Sequence, residues 1–310
     1  MVHCGSVWLL VAISWLMTHG ICASLEVGYA REAISEELLG NFKLYAQYAA
    51  AAYCVGNNDS PFSQVLCSSG NCPLVEAANA NTTEEFQDTA IADTTGFIAV
   101  DPSNEVIVVA FRGSAQIKNW IMDFNLEKAF TDICFNCRAH AGFWQSWKEI
   151  RGVVFAGIKD AMDSNPGYQL VITGHSLGGA VATLAAADVR KGHTAATLYT
   201  YGAPRVGGGH LARLTEQQSG GSYRITHTDD MVPHLPSQVW SMTGYAHISP
   251  EYHIDQGDEA DEISTGDITV DPLHEFSGDL HDALQHHWEA HRHYFGPTSA
   301  CSHEHDKDPE

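Results

Sequence analysis

The sequence predicts an α/β fold, a mostly parallel sheet flanked by helices, and three observations point there. Val106 to Phe111 is an unbroken apolar run rich in β-branched residues, as expected of a strand covered on both faces. Phe143, Trp147, Ile150, Val154 and Ile158 recur at spacings of four, three, four and four, the stripe of an amphipathic helix. Strand-like and helix-like segments then alternate with short links, which implies parallel strands joined by crossover helices.

The elements follow in order. Ala33 to Tyr53 is rich in Ala, Leu and Glu and reads as a helix. Asn57 to Pro73 carries turn chemistry, in Asn57-Asn58-Asp59-Ser60-Pro61 and Ser68-Ser69-Gly70-Asn71. Pro166-Gly167 separates the amphipathic helix from a strand at Gln169 to Thr173. Leu177 to Arg190 is expected as an Ala- and Gly-rich helix, and Thr197 to Tyr201 and Tyr223 to His227 as short strands. Ile254 to Leu280 is acidic, contains glycine and fits no single element. No internal repeat is present, so one domain with appendages is expected.

The chain has 310 residues and is 44% hydrophobic, enough for one large core. Its net charge of -22, from 16 basic and 38 acidic side chains, excludes nucleic acid as the main partner. Excess acid is the ordinary composition of a soluble exported protein. Val7 to Met17 is an apolar run shorter than the roughly 20 residues that span a bilayer. A polar break, Thr18-His19-Gly20, and then Ala23 as a cleavage point complete the pattern of a signal peptide, although no Lys or Arg precedes the run. Residues 1–23 are therefore read as the signal and 24–31 as a candidate propeptide ending at Arg31. Residues 32–301 form the domain, and 302–310 a disordered acidic tail. A secreted, extracellular protein with no transmembrane segment is expected, most simply a monomer.

Export decides how the cysteines are read. Cys4 and Cys22 leave with the signal, and an even set of six remains, which favours disulfides. Cys67 and Cys72 are near neighbours, as are Cys134 and Cys137, which suggests two short loops; Cys54 and Cys301 would tie the domain's beginning to its end. The competing four-Cys zinc site would leave one pair over. Two glycosylation acceptors are present, at Asn81 and at Asn58, the latter weakened by Pro61.

The chemistry centres on Gly174-His175-Ser176-Leu177-Gly178. A serine hydroxyl needs a base to take its proton and a sharp turn to present it. Small residues two places before and after relieve the crowding of a strand–turn–helix elbow. Gly-x-Ser-x-Gly alone is weak; between the strand at 169–173 and the helix from Leu177 it is specific. The first N–H groups of a helix lack partners within it, so Leu177 is a candidate oxyanion donor. Ser114, directly after the strand ending at Phe111, is the second. The acid and base are expected later in the chain. Asp229 and Asp230 both suit the acid, and His281, His286, His287, His291 and His293 all suit the base. His287 and His291 have the spacing of a helical metal pair, but the Glu between them is one place off the zinc protease pattern. Neither metal nor cofactor is expected.

With these motifs in hand, the sequence resembles the filamentous-fungal class 3 lipase family, of the Thermomyces and Rhizomucor type, from about Glu32 to Cys301. The likeness rests on Ala110-Phe111-Arg112-Gly113-Ser114, Gly174 to Gly179, Tyr201 to Gly207, Tyr223 to Thr228, and His291-x-x-Tyr294-Phe295-Gly296. It implies an α/β-hydrolase fold and a Ser-His-Asp triad. Its acid precedes a hydrophobic-Val-Pro segment, which selects Asp230, and its base stands three places before Tyr-Phe-Gly, which selects His291. Its cysteine spacings support Cys54–Cys301, Cys67–Cys72 and Cys134–Cys137. It also implies a lid at 117–124, whose apolar residues Ile117, Trp120, Ile121 and Phe124 fall on one helical face. The acidic stretch before the base and the His-rich ending depart from the family pattern.

The resemblance implies a triacylglycerol lipase, with lipid esters and the lipid–water interface as its partners. Feruloyl esterases share the scaffold with a more polar lid, so Trp120-Ile121-Met122 tilts toward lipase. A lipid- or glycan-binding relative without catalysis is the reading of another class.

Overall fold

A computed structural model describes residues 33–87, 94–114, 126–236, 244–257, 262–272 and 288–304. All lie within the compact unit Glu32–Glu310. The helices are α1 (Glu36–Ala51), α2 (Pro73–Ala77), α3 (Ala141–Ser164), α4 (Leu177–Lys191), α5 (Gly209–Gln217) and α6 (Trp288–Arg292). The strands are β1 (Asn81–Phe86), β2 (Gly96–Asp101), β3 (Val106–Phe111), β4 (Lys128–Phe130), β5 (Arg138–His140), β6 (Gln169–His175), β7 (Thr197–Tyr201), β8 (Gly207–Gly208), β9 (Ser222–His227), β10 (Tyr245–Ala246), β11 (Glu251–Ile254) and β12 (Ile268–Asp271).

Eight strands form the main sheet, in the order β1-β2-β3-β6-β7-β9-β11-β12. Pairing is parallel from β3 through β11 and antiparallel at both edges. The apolar run of β3 has the predicted cause. Val106, Val108 and Ala110 face one core with Phe42, Tyr45 and Ala49 of α1. Ile107, Val109 and Phe111 face the other, with Trp147, Ile150 and Val154 of α3 and the alanines of α4. Both faces are dry, so the strand has no polar side to show. A smaller sheet, β10-β8-β5-β4, accompanies it.

Some boundaries differ from expectation. Helix α1 starts at Glu36 because the Ser35 hydroxyl accepts from the Leu38 N–H, an N-cap that ends the extended Ala33-Ile34 lead-in. Part of the unassigned acidic stretch adds a strand to the sheet: β12 closes the edge against β11, which pairs parallel with β9 and reaches the stretch only at Ile254. Charged side chains suit an edge strand, since they discourage pairing with another chain. Three disulfides join Cys54 to Cys301, Cys67 to Cys72 and Cys134 to Cys137. No described helix is long and apolar enough to cross a membrane.

Candidate active site

The parallel strands β6, β7 and β9 end on one side of the sheet, and the loops there carry the candidate residues. Strand β6 runs straight into α4, and Ser176 forms the turn between them at φ 57° and ψ -127°. This is a costly conformation for a residue with a side chain. It is held by the Ser176 N–H, which donates to Tyr201 O at 2.9 Å, and by Gly179 and Ala180, whose N–H groups donate to Ser176 O. Gly178 is required by close approach: a Cβ there would lie 2.2 Å from Phe111 O. The elbow and the end of β3 are thus pressed together, bringing the Arg112-Gly113-Ser114 loop beside the serine.

Ser176 Oγ lies 2.9 Å from His291 Nε2. His291 Nδ1 lies 2.9 and 2.8 Å from the two carboxylate oxygens of Asp230. A carboxylate accepts, so Nδ1 carries the proton and Nε2 is left to accept from the Ser176 hydroxyl. Ser176, Asp230 and His291 are all at most 2% exposed. Asp230 also accepts from the Tyr294 hydroxyl at 2.6 Å and the Val232 N–H at 2.9 Å. Burial alone would raise its carboxyl; His291, first by charge and then by hydrogen bond, together with Tyr294 and the Val232 N–H, outweighs it and holds the group below the ordinary carboxylate range.

The Tyr201 to Gly207 motif builds the seat for this pair. Gly202 sits at φ 56°, and a Cβ there would lie 2.6 Å from Asp230 Oδ2 and 3.1 Å from His291 Nδ1. Arg205 donates to His234 O at 2.7 Å and Pro236 O at 2.9 Å, fastening the loop that follows Asp230. Beneath it Arg224 pairs with Glu251 at 2.9 Å, and Thr226 donates to the same oxygen. In the sequence Tyr201 to Gly207 and Tyr294 are only landmarks; the contacts of Gly202 and Tyr294 to Asp230 become visible in three dimensions.

Other candidates fall as follows. Leu177 begins α4, and Ser114 lies in the loop after β3. The lid residues Ile117, Trp120, Ile121 and Phe124 lie outside the described residues, as do His281, His286 and His287. Asn81 is exposed at the start of edge strand β1. Asn58 is buried, and its amide donates to Ala52 O and Cys54 O, so this acceptor is closed off by the fold. Among the described residues, the one metal-like group is Cys67, Cys72 and Glu76, whose cysteines form a disulfide.

A serine at an elbow, an imidazole within hydrogen-bond reach and a buried carboxylate behind it make an arrangement suited to acyl transfer. Known proteins share both the sequence and the shape. The family model for lipase (class 3) matches residues 108–240, and that for the lipase 3 N-terminal region matches residues 7–84. The secreted mono- and diacylglycerol lipase A of Penicillium cyclopium is 46% identical over 239 residues, covering 76% of this chain and 77% of that protein. A crystal structure of the mono- and diacylglycerol lipase from Aspergillus oryzae superimposes with a TM-score of 0.78 at 39% identity, covering 86% of this chain and 99% of the other. A structure described as a serine protease triad forming the catalytic centre of a triacylglycerol lipase gives 0.72 at 26%, covering 87% and 99%. Strand order, elbow and sequence lead to one conclusion: this chain is an α/β-hydrolase and belongs to the class 3 lipase family.

Proposed function

We propose that the chain is a secreted lipase that hydrolyses acylglycerols at a lipid–water interface, with Ser176 as nucleophile, His291 as base and Asp230 as the acid that orients it. The observation that carries this reading is the 2.9 Å contact between Ser176 Oγ and His291 Nε2. Ser176 attacks the ester carbonyl carbon while His291 takes its proton. The tetrahedral oxygen is held by N–H groups of Leu177 and Ser114. Collapse expels the alcohol, which leaves with the proton from His291, and water then releases the acid from Ser176 by the same steps in reverse. Asp230, held ionised, stabilises the imidazolium that forms in each half. No metal or cofactor enters the scheme.

Residues 117–124 form the lid, residues 1–23 the signal and 24–31 the propeptide of this reading; Asn81 is its glycan acceptor, and the enzyme acts as a monomer. Export agrees with the secreted relative named above. Triacylglycerol is the substrate expected from the sequence. The names of two relatives favour partial glycerides as a second reading. A rate panel separates them: trioleoyl-, dioleoyl- and monooleoylglycerol and methyl ferulate, each below and above its solubility limit. The proposal expects hydrolysis of the glycerides with a jump in rate once droplets form. Saturation in true solution with methyl ferulate as the best substrate would replace lipase by esterase. No turnover of any ester would leave the non-catalytic reading.

A further inference from the structure

His291 sits in a helix of only five residues, Trp288–Arg292. A helix this short is not stable by itself, and its last carbonyls have no partner within it. Yet a base that drifts by about 1 Å can lose about a hundredfold in rate. Something outside the helix has to hold the backbone of His291. The carbonyls of residues 290 to 293 show what does. His291 O lies 2.7 Å from His175 Nε2. Ala290 O and His293 O lie 3.2 and 2.6 Å from His227 Nδ1. Arg292 O accepts from the Thr298 N–H at 2.8 Å. Both imidazoles are buried, at the ends of β6 and β9.

The partners assign the protons. Carbonyl oxygens only accept, so His175 donates through Nε2; both nitrogens of His227 face carbonyls, and Nδ1 is the one turned to the helix. On the far side of His175, Nδ1 lies 2.7 Å from the Tyr53 hydroxyl, which donates to it. The Gly113 backbone hydrogen-bonds that same hydroxyl. Tyr53 thereby selects the tautomer of His175 and links it to the loop carrying Ser114. His227 Nε2 lies 3.1 Å from Gln256 O, just past β11. We infer that His175 and His227 are positioning residues, two buried imidazoles that cap the carbonyls of the His291 turn from the sheet and so fix the base against Ser176. The inference rests on the proposed role of His291.

Amides of different reach test it. In His175→Gln the amide nitrogen replaces Nε2 and still meets His291 O; in His175→Asn it falls where Nδ1 stood. At 227 the ranking reverses, because Nδ1 serves the helix there. With p-nitrophenyl butyrate in true solution, His175→Leu and His227→Leu should lose about ten- to a hundredfold in kcat with KM within about twofold. His175→Gln and His227→Asn should each recover about tenfold over the Leu variants, whereas His175→Asn and His227→Gln should not. Circular dichroism gives the folded fraction. If the Leu variants do not fold, the Gln-against-Asn ranking at each position is the test. Equal kcat for the two amides at both positions, or a loss confined to KM, overturns the inference. His291→Ala is assayed alongside: background turnover upholds the base on which the inference rests, and retained turnover sinks that reading itself, whatever the amides show.

Discussion

At Gly202 a methyl group would lie 2.6 Å from Asp230 Oδ2 and 2.9 Å from the Tyr294 hydroxyl, at a φ that disfavours any side chain. Gly202→Ala should therefore push the acid and base apart while the sheet survives. The expected loss is about a hundredfold in kcat for a soluble ester, with unchanged circular dichroism; wild-type kcat would show that the site tolerates the methyl. His175 makes a second prediction at this scale. Burial, and then the neighbouring His291, push it down from 6.5 to about 3. Below 6.5 an unfolded chain takes up a proton that the folded chain refuses, so stability falls as pH drops from 6.5 toward 3. The contribution is on the order of a few kcal/mol. His175→Gln cannot titrate, and its acid slope in urea melts should be shallower; equal slopes would contradict the assignment. Of these residues the sequence marked only some. Ser176 was legible because its turn constrains the neighbouring positions. His175 was not, since the motif leaves that position free, and its role depends on Tyr53 and His291, 122 and 116 residues away.

The elements that could be read in the sequence are those buried on every side or along one regular stripe. Strand β3 and helices α3 and α4 have apolar patterns with one explanation each. Strand β1, Asn81 to Phe86, is polar because it is an edge, and nothing in its composition distinguishes it from a loop. Strand β12 was hidden in the acidic stretch for the same reason. The long disulfide belongs to this scale. Cys54 follows α1 directly, and its bond to Cys301 spans 247 residues of chain. Replacing both cysteines by serine should cost about 2–5 kcal/mol, a fall of about 5–15 °C in Tm. An unchanged calorimetric Tm would count against it. Asn81 is exposed on edge strand β1 and Asn58 is buried in the turn after α1, so an amidase that removes N-glycans should shift the mass of the secreted protein, and Asn81→Gln should abolish that shift while Asn58→Gln leaves it. A shift surviving in Asn81→Gln would reverse the choice.

Across the whole sequence, 38 acidic side chains face 16 basic ones, with 18 histidines besides. Repulsion from an anionic lipid surface should weaken as pH falls toward about 5, where carboxylates and histidines take up protons. Adsorption to vesicles of mixed neutral and anionic phospholipid should accordingly rise between pH 7 and 5, and a flat profile would exclude charge as the control. What holds this acidic chain to its function is the convergence of β6, β7 and β9 on one serine, and that claim has a direct test. A fluorophosphonate reacts only with a serine activated by its neighbours. Peptide mapping after labelling should find the adduct on Ser176, with none in Ser176→Ala or His291→Ala and no ester turnover in either. An adduct on another serine, or turnover retained by Ser176→Ala, would contradict the account.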